Sequence, residues 1–315
     1  RSIEKFIDEV KPDLIISFQC VTLGEYLTAL FAKARNIPLL NIRPTRIKNY
    51  IYAGEDIVEP SNVLEKSYNE LISNGMSEEL KIKVDNYLKE FRYKNAMYEG
   101  VIPPSDKSPN SGIYSKKIIP MVELIKSLIN ATKNDLRFKF GREKYDNSIY
   151  SSFRYLINQK LIRPFKAKRI DRLYRKRYVN DSELEKISYA FFPMHTEPEL
   201  SLSLYGKPYL NQIEAARLIS HNLPVGMKLI VKEHPVSVGK RNINYYNKLL
   251  RIPNVMLAPP EMLSRNLIKN ADLITIICGT IGLEGLIMRV PVISLGRAPF
   301  NFLPRDIIRY VNNPD

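Results

Sequence analysis

The sequence predicts an α/β protein whose strands form doubly wound parallel sheets, and two observations support this prediction. The last third of the chain alternates five short apolar strands with amphipathic helices, which is typical of a parallel sheet covered by helices on both faces. The first sixty residues show the order helix, strand, helix, strand, which predicts a βαβ unit. We therefore expect two Rossmann-like domains.

The N-terminal domain is predicted over residues 1–180. Its βαβ unit comprises a helix with apolar positions 3, 6, 7 and 10, a strand at 14–18, a helix at 22–36 and a strand at 38–42. Residues 61–180 are expected to be a helical segment, because amphipathic stretches follow one another there and no strand pattern is convincing.

The C-terminal domain is predicted over residues 185–315. Its strands are expected at 189–195, 228–234, 254–259, 272–279 and 291–296, with helices at 211–224, 244–251, 262–271 and 280–289. Ligands of open parallel sheets bind outside the carboxyl ends of the strands. The polar residues that follow these strands are therefore the candidate site residues.

The net charge of +15 is the most unusual bulk property of the chain. Ten Lys and Arg residues, against one acid, lie between Arg154 and Arg177. The run is interpreted as a solvated basic face, as a surface for an anionic membrane or a polyanionic glycan, or as a nucleic-acid site. Nucleic acid is disfavoured, because the nearby aromatic residues form no stacking pattern and no nucleic-acid motif occurs.

The numbers of cysteines and histidines and the absence of several motifs disfavour whole classes of protein. Two cysteines and three histidines disfavour a disulfide framework and a zinc site, and they fit a reducing cytoplasm. The sequence has no Gly-x-Gly-x-x-Gly after its first strand, no Walker motif and no Gly-x-Ser-x-Gly. These absences disfavour hydride transfer, P-loop nucleotide hydrolysis and serine hydrolysis, respectively. The sequence also has no Asp-x-Asp pair of the kind that holds a divalent metal on a diphosphate.

The stretch "CGTIGLEGL" runs from a buried strand into a helix. Its glycines, Gly279 and Gly282, would let a ligand approach the backbone, and the start of the helix would attract a phosphate. Thr280 would add a hydroxyl, and Glu284 would reach ribose hydroxyls. The alternative is an ordinary strand-to-helix turn with Thr280 as its N-cap.

The stretch "VKEHP" ends another predicted strand. Lys232 and His234 alternate, so they should point to one face and suit a phosphate or carboxylate, while Glu233 should point away and be structural. The alternative is a set of solvated charges with His234 packed against Pro235.

The stretch "MHTEPELSLS" supplies one histidine and two acids. His195 follows the strand directly, and Glu197 and Glu199 flank Pro198. Either acid would deprotonate an acceptor hydroxyl or hold sugar hydroxyls. Because Pro198 favours an extended Glu197, the two acids should diverge and serve different tasks. The alternative is a loop with a helix-capping acid.

Three segments together resemble the capsule polysaccharide biosynthesis family, which has the GT-B architecture and includes bacterial Kdo transferases. They are "FFPMHTEPELSLSLYG", "LPVGMKLIVKEHPVSVGKRN" and "ITIICGTIGLEGLIMRVPVISLG". The resemblance implies two Rossmann-like domains facing a cleft, with the C-terminal one holding a nucleotide-activated sugar. From this resemblance, a truncated N-terminal domain and an early end of the chain are expected.

The resemblance also implies roles for the candidate residues. His234, helped by Lys232, would stabilise the leaving phosphate, and Glu197 or Glu199 would be the catalytic base. Donor and phosphate contacts are implied for His195, Lys232, Gly279, Thr280, Gly282 and Glu284. No metal and no cofactor are expected, since the nucleotide sugar is a substrate.

The leading hypothesis is a metal-independent glycosyltransferase that moves a sugar from a CMP- or UDP-sugar to a glycan or glycolipid of the cell surface. It would work in the cytoplasm, with peripheral attachment to the inner membrane face as an option. A non-hydrolysing nucleotide-sugar epimerase is the runner-up, and a non-catalytic sugar-nucleotide-binding protein of polysaccharide assembly is the third hypothesis.

Overall fold

A computed structural model describes residues 2–18, 22–59, 61–93, 121–140 and 152–311. Within these residues the strands form two sheets, one of three strands and one of six. The predicted α/β class with parallel sheets is confirmed. Cys20 and part of the predicted helical segment, residues 94–120 and 141–151, lie outside the described residues.

The first sheet contains the predicted βαβ unit and one strand more. Its elements are α1 (Ser2–Val10), β1 (Ile15–Phe18), α2 (Leu23–Ala34), β2 (Leu39–Pro44) and β3 (Ile51–Gly54). β1 and β2 are parallel, and β3 pairs antiparallel with β2. β3 was not predicted, because its four residues carry too short a pattern to be separated from a loop.

The described parts of the predicted helical segment are helical. They are α3 (Asn62–Asn74), α4 (Glu78–Tyr93), α5 (Met121–Phe140), α6 (Ser152–Ile157) and α7 (Arg163–Tyr174). A π-helical turn, Asn158–Ile162, joins α6 to α7 in one continuous helix. No helix among the described residues is both long and apolar enough to cross a membrane.

α7 packs on the second sheet. Ile170 and Tyr174 are buried in a core shared with that sheet, and the Tyr174 hydroxyl donates to Asn247 Oδ1 over 2.7 Å. Tyr178 then forms a bridge with Leu257. By these contacts the basic helix packs on the C-terminal sheet, and the predicted domain boundaries stay a prediction.

The second sheet is parallel throughout, with the order β6-β5-β4-β7-β8-β9. Its strands are β4 (Tyr189–Pro193), β5 (Lys228–Lys232), β6 (Val255–Ala258), β7 (Leu273–Ile276), β8 (Val292–Ser294) and β9 (Ile308–Tyr310). Five strands were predicted; β9, of three residues, was missed. The strand order reverses between β4 and β7, which is where such sheets open a ligand-binding crevice.

Helices cover both faces of this sheet. They are α8 (Asp181–Leu184), α9 (Leu200–Tyr205), α10 (Gln212–Asn222), α11 (Ile243–Leu250), α12 (Ser264–Lys269) and α13 (Ile281–Ile287). Successive strand residues enter opposite cores, so Phe192 lies in one and Phe191 in the other. Both rings are fully buried, which fixes the register of the central strand and the direction of its carboxyl end.

Several contacts join the two units, and two of them involve hydrogen bonds from side chains of the C-terminal unit. The Tyr205 hydroxyl donates to the carbonyl of Ile57 over 2.8 Å. In the second of these contacts, the guanidinium of Arg265 donates to the last carbonyls of α4, at Phe91 and Arg92. A cation at a helix C-terminus is favourable, so Arg265, which lies in α12, holds the end of α4 against the C-terminal unit.

Candidate functional site

Polar segments follow β4, β5 and β7 at one edge of the second sheet, and hydrogen bonds join them. The backbone N–H of Cys278 points to His195 Nε2 at 3.4 Å. The Ser237 hydroxyl donates to Thr196 Oγ1 over 2.8 Å. The structure therefore brings the predicted site residues of all three segments to one rim, at the crevice between β4 and β7.

Lys232 is the most unusual group on this rim. Lys232 is the last residue of β5 and is only 5% exposed. Burial lowers the pKa of Lys232 to about 8, although Glu233 and Glu261 oppose the shift. None of the hydrogen bonds or ion pairs among the described residues reaches its Nζ atom. Desolvation of a lysine is costly for its charged form, and residues with such shifted pKa values concentrate at functional sites.

His234 presents one ring nitrogen as a donor. Its Nδ1 accepts the N–H of Val236 over 3.2 Å, so the neutral ring carries its proton on Nε2. Burial lowers the pKa of His234, and Lys232, His195 and Arg241 act in the same direction, while Glu199 opposes them. Near pH 7 the residue therefore offers an N–H group rather than a full positive charge.

Glu233 points away from the rim, as predicted. Its carboxylate accepts hydrogen bonds from the Tyr246 hydroxyl at 2.9 Å, from the backbone N–H of His234 at 2.7 Å and from Arg241 Nη1. The residue is 5% exposed. These contacts are made with the loop after β5 and with α11, and the structural role of Glu233 stays a prediction that they support.

Arg241 was not predicted, yet it joins the segments of the rim. Besides Glu233, its guanidinium donates to the carbonyl of His195 over 2.7 Å and lies 3.3 Å from Glu197 Oε1. It also covers the ring of Tyr245, 4.9 Å from the centroid. No local motif marks this arginine, because its hydrogen-bond partners lie 8 and 46 residues away.

Gln212, at the start of α10, was also missed. Its Oε1 accepts the N–H of His195 over 2.7 Å, and its Nε2 donates to Glu197 Oε1. The residue is fully buried. Gln212 and Arg241 therefore hold the turn after β4 from two sides.

The two predicted acids have different surroundings. Glu197 faces Gln212 and Arg241, whereas Glu199 Oε2 lies 3.3 Å from His195 Nδ1. Because His195 Nε2 accepts the Cys278 N–H, its Nδ1 carries the proton and donates it to Glu199. The acids diverge, and Glu199 is the one directed at the histidines.

The turn after β7 contains the residues predicted to bind phosphate. Thr280 occupies the N-cap position but makes no side-chain capping hydrogen bond. The N–H of Gly282 donates to the Gly279 carbonyl, and a Cβ at 282 would lie 2.5 Å from Ile276 Cδ1. Packing of α13 on β7 thus explains this glycine, and its phosphate contact stays a prediction.

Gly279 and Glu284 flank this turn. A Cβ at Gly279 would lie 3.6 Å from the ring of His195, at ordinary contact distance. Burial raises the pKa of Glu284 to about 7, with Arg265 opposing the shift. Near neutral pH this carboxyl therefore exists in both forms, and either form suits a hydroxyl-rich ligand as donor or acceptor.

Metal ligands do not cluster in the part of the chain that the structure describes, where no three His, Cys, Asp or Glu side chains are placed to share an ion.

Comparisons with known proteins support the resemblance seen in the sequence. The model of the family described as "Capsule polysaccharide biosynthesis protein" matches residues 150–303. No curated protein matches the chain.

Solved structures match at low similarity. The β-Kdo 2,7 transferase of Thermosulfurimonas dismutans KpsC is 19% identical, with a TM-score of 0.31, over 56% of this chain and 47% of that one. The β-Kdo 2,4 transferase of the same protein is 20% identical, with a TM-score of 0.34, over 47% of this chain and 49% of that one. The UDP-GlcNAc 2-epimerase of Methanocaldococcus jannaschii is 15% identical, with a TM-score of 0.31, over 98% of this chain and 69% of that one.

This chain therefore spans about half the length of the two KpsC structures. The family match begins just before α6 and includes the basic helix and the strands that carry the candidate site. The resemblance to the capsule polysaccharide biosynthesis family is thereby confirmed for residues 150–303 of this chain.

Proposed function

We propose that this protein is a metal-independent glycosyltransferase of capsule or surface polysaccharide synthesis. It would transfer a sugar from a CMP- or UDP-sugar to a glycan or glycolipid acceptor in the cytoplasm. The observation that supports this best is Lys232, a buried cation at the rim of the sheet with a pKa near 8. A bound phosphate would add a negative charge beside this lysine and favour its ammonium form.

The proposed chemistry rests on fixed donors around the departing phosphate. Lys232 would neutralise its charge, and His234 would donate a hydrogen bond from Nε2. Donors of this kind act strongly where water is excluded and where charge develops in the transition state. Glu284 would hold the ribose hydroxyls.

Glu199 is the better candidate for the base. The carboxylate of Glu197 is engaged by Gln212 and Arg241, which directs it to holding the loop. Glu199 instead accepts a hydrogen bond from His195 Nδ1, which would orient the carboxylate that takes the proton of the acceptor hydroxyl.

The base assignment predicts different outcomes for two matched variants. Glu199→Gln is expected to lower kcat by about 10²-fold, which is within the usual contribution of general base catalysis, with little change in stability. Glu197→Gln should keep kcat within about threefold of the wild type and lower the melting temperature, because the buried Arg241 loses a negatively charged partner. Steady-state kinetics and thermal unfolding measure both. Equal kcat losses would contradict the assignment.

One set of assays tests the function as a whole. CMP, UDP, GDP and their sugars are screened by thermal shift, since a ligand that binds only the folded state raises its stability. Binders are then incubated without acceptor. Slow release of free sugar supports a transferase, interconversion of UDP-sugars would indicate an epimerase, and binding without reaction would indicate an assembly protein.

A further inference from the structure

The outer face of α7 combines two features that are rarely found together on a solvated helix. Ala167, Ile170 and Tyr174 turn inward and are buried. The basic face, as we name the opposite side, consists of Phe165, Lys168, Arg169, Arg172 and Leu173, all exposed.

Its apolar members are prominent. Phe165 is 69% exposed and Leu173 is 50% exposed. The charge around them is one-sided, because between Arg154 and Arg177 the single acid, Asp171, is paired with Arg175 at 2.5 Å. Bulky apolar residues among lysines and arginines are typical of helices that lie in a membrane interface.

We propose that the basic face of α7 docks the protein on an anionic lipid surface. The cations would meet the lipid phosphates, and Phe165 and Leu173 would enter the boundary between headgroups and acyl chains. A polyanionic glycan would account for the cations alone, since it offers no apolar layer for the two exposed side chains.

The helix is also fixed to the candidate site. The guanidinium of Arg163 donates to the carbonyls of Val236 and Val238 over 2.7 and 2.9 Å. A Cβ at Gly239 would lie 2.6 Å from the Arg163 carbonyl, so helix and loop are in close contact. Docking would therefore bring the loop that follows His234 near the lipid surface, where a lipid-anchored acceptor would arrive. That consequence rests on the proposed function, but lipid binding itself does not.

Vesicle co-sedimentation tests the proposal without any assay of activity. The wild type should bind phosphatidylglycerol vesicles much more tightly than phosphatidylcholine vesicles, and added salt should weaken the binding. The triple variant Lys168→Gln, Arg169→Gln, Arg172→Gln should lose about 100-fold in affinity, since each cation near an anionic surface contributes about fivefold. The control Lys186→Gln, Lys207→Gln, Lys269→Gln removes the same charge from other exposed positions and should lose far less.

A second variant tests the apolar part. Phe165→Ser with Leu173→Ser keeps every charge and should lose the binding that persists at high salt. Thermal unfolding confirms that each variant is folded. Equal binding to neutral and anionic vesicles, or full binding by the triple variant, would overturn the proposal. The proposal would also fail if the apolar variant bound vesicles like the wild type. In that case, tight binding of the wild type and of the apolar variant to dextran sulfate would identify a polyanionic glycan as the partner.

Discussion

Replacing Lys232 by methionine is expected to stabilise the ligand-free protein and to abolish most of its affinity for nucleotide sugars. The burial that lowers its pKa from 10.5 to about 8 corresponds to a cost of about 3 kcal/mol for the charged form. Methionine has a similar length and no charge, so the folded state would lose this cost while keeping the packing. Without the ammonium, the phosphate of a donor would lose its counter-charge, and we expect at least a tenfold rise in Kd.

The pH dependence of stability provides an independent signature. The folded-state pKa of Lys232 lies near 8 and the unfolded-state value near 10.5. Between these values the unfolded chain binds more protons, so the contribution of Lys232 to the free energy of unfolding rises with pH across this window. Urea unfolding at several pH values should show the rise in the wild type and its loss in Lys232→Met.

Lys228→Met is the matched control, because Lys228 begins the same strand and its ammonium donates to Asn254 Oδ1 over 3.1 Å. This variant should bind nucleotide sugars like the wild type and should gain no stability. Unchanged donor affinity in Lys232→Met, measured by calorimetry, would show that this lysine does not meet the phosphate.

Replacing His234 by alanine is expected to lower kcat by about 10²- to 10³-fold, the usual effect of removing one fixed donor from a transition-state site. Donor affinity should change by less than about fivefold, because the hydrogen bond gains most of its strength as charge develops on the leaving phosphate. Single-turnover kinetics and donor titrations separate the two effects.

Two further variants make the test specific. His234→Gln places an amide N–H near the position of Nε2 and should recover part of the rate. His221→Ala removes the exposed histidine in the last turn of α10 and should leave kcat unchanged. A wild-type kcat in His234→Ala would exclude the proposed role, as would a loss confined to donor affinity.

Neutrality of His234 also has a consequence for the pH profile. Its pKa is lowered by burial, and protonation would set two N–H groups against each other at Nδ1 and Val236. The donor on Nε2 is present in either form, so acidification between pH 8 and 6.5 should not reduce its contribution to the rate.

The loop network behind the rim explains how these groups are held. Arg241 and Glu233 form a buried ion pair with further hydrogen bonds to the Tyr246 hydroxyl and the His195 carbonyl. Removing one partner of such a pair leaves an uncompensated buried charge. Arg241 is therefore a positioning residue, and its loss would move the turn that carries His195 and the loop that carries His234 together.

The sequence by itself determined the features that depend on local order. Short apolar runs between amphipathic helices located the strands within a few residues. Parallel strands necessarily bring their carboxyl ends to one edge of the sheet. Strand geometry also separated Lys232 from Glu233, since neighbouring side chains point to opposite faces. The placement of the candidate residues on one rim followed from these rules, although their catalytic and binding roles stay predictions.

Only the tertiary structure decided which groups meet and how deeply they are buried. The pairing of His195 with Glu199, the engagement of Glu197 by Arg241 and the packing reason for Gly282 each depend on residues distant in sequence or on a helix-to-sheet contact. The lowered pKa of Lys232 likewise arises from everything packed around it. Desolvation and pairing are properties of the folded environment, and no local pattern records them.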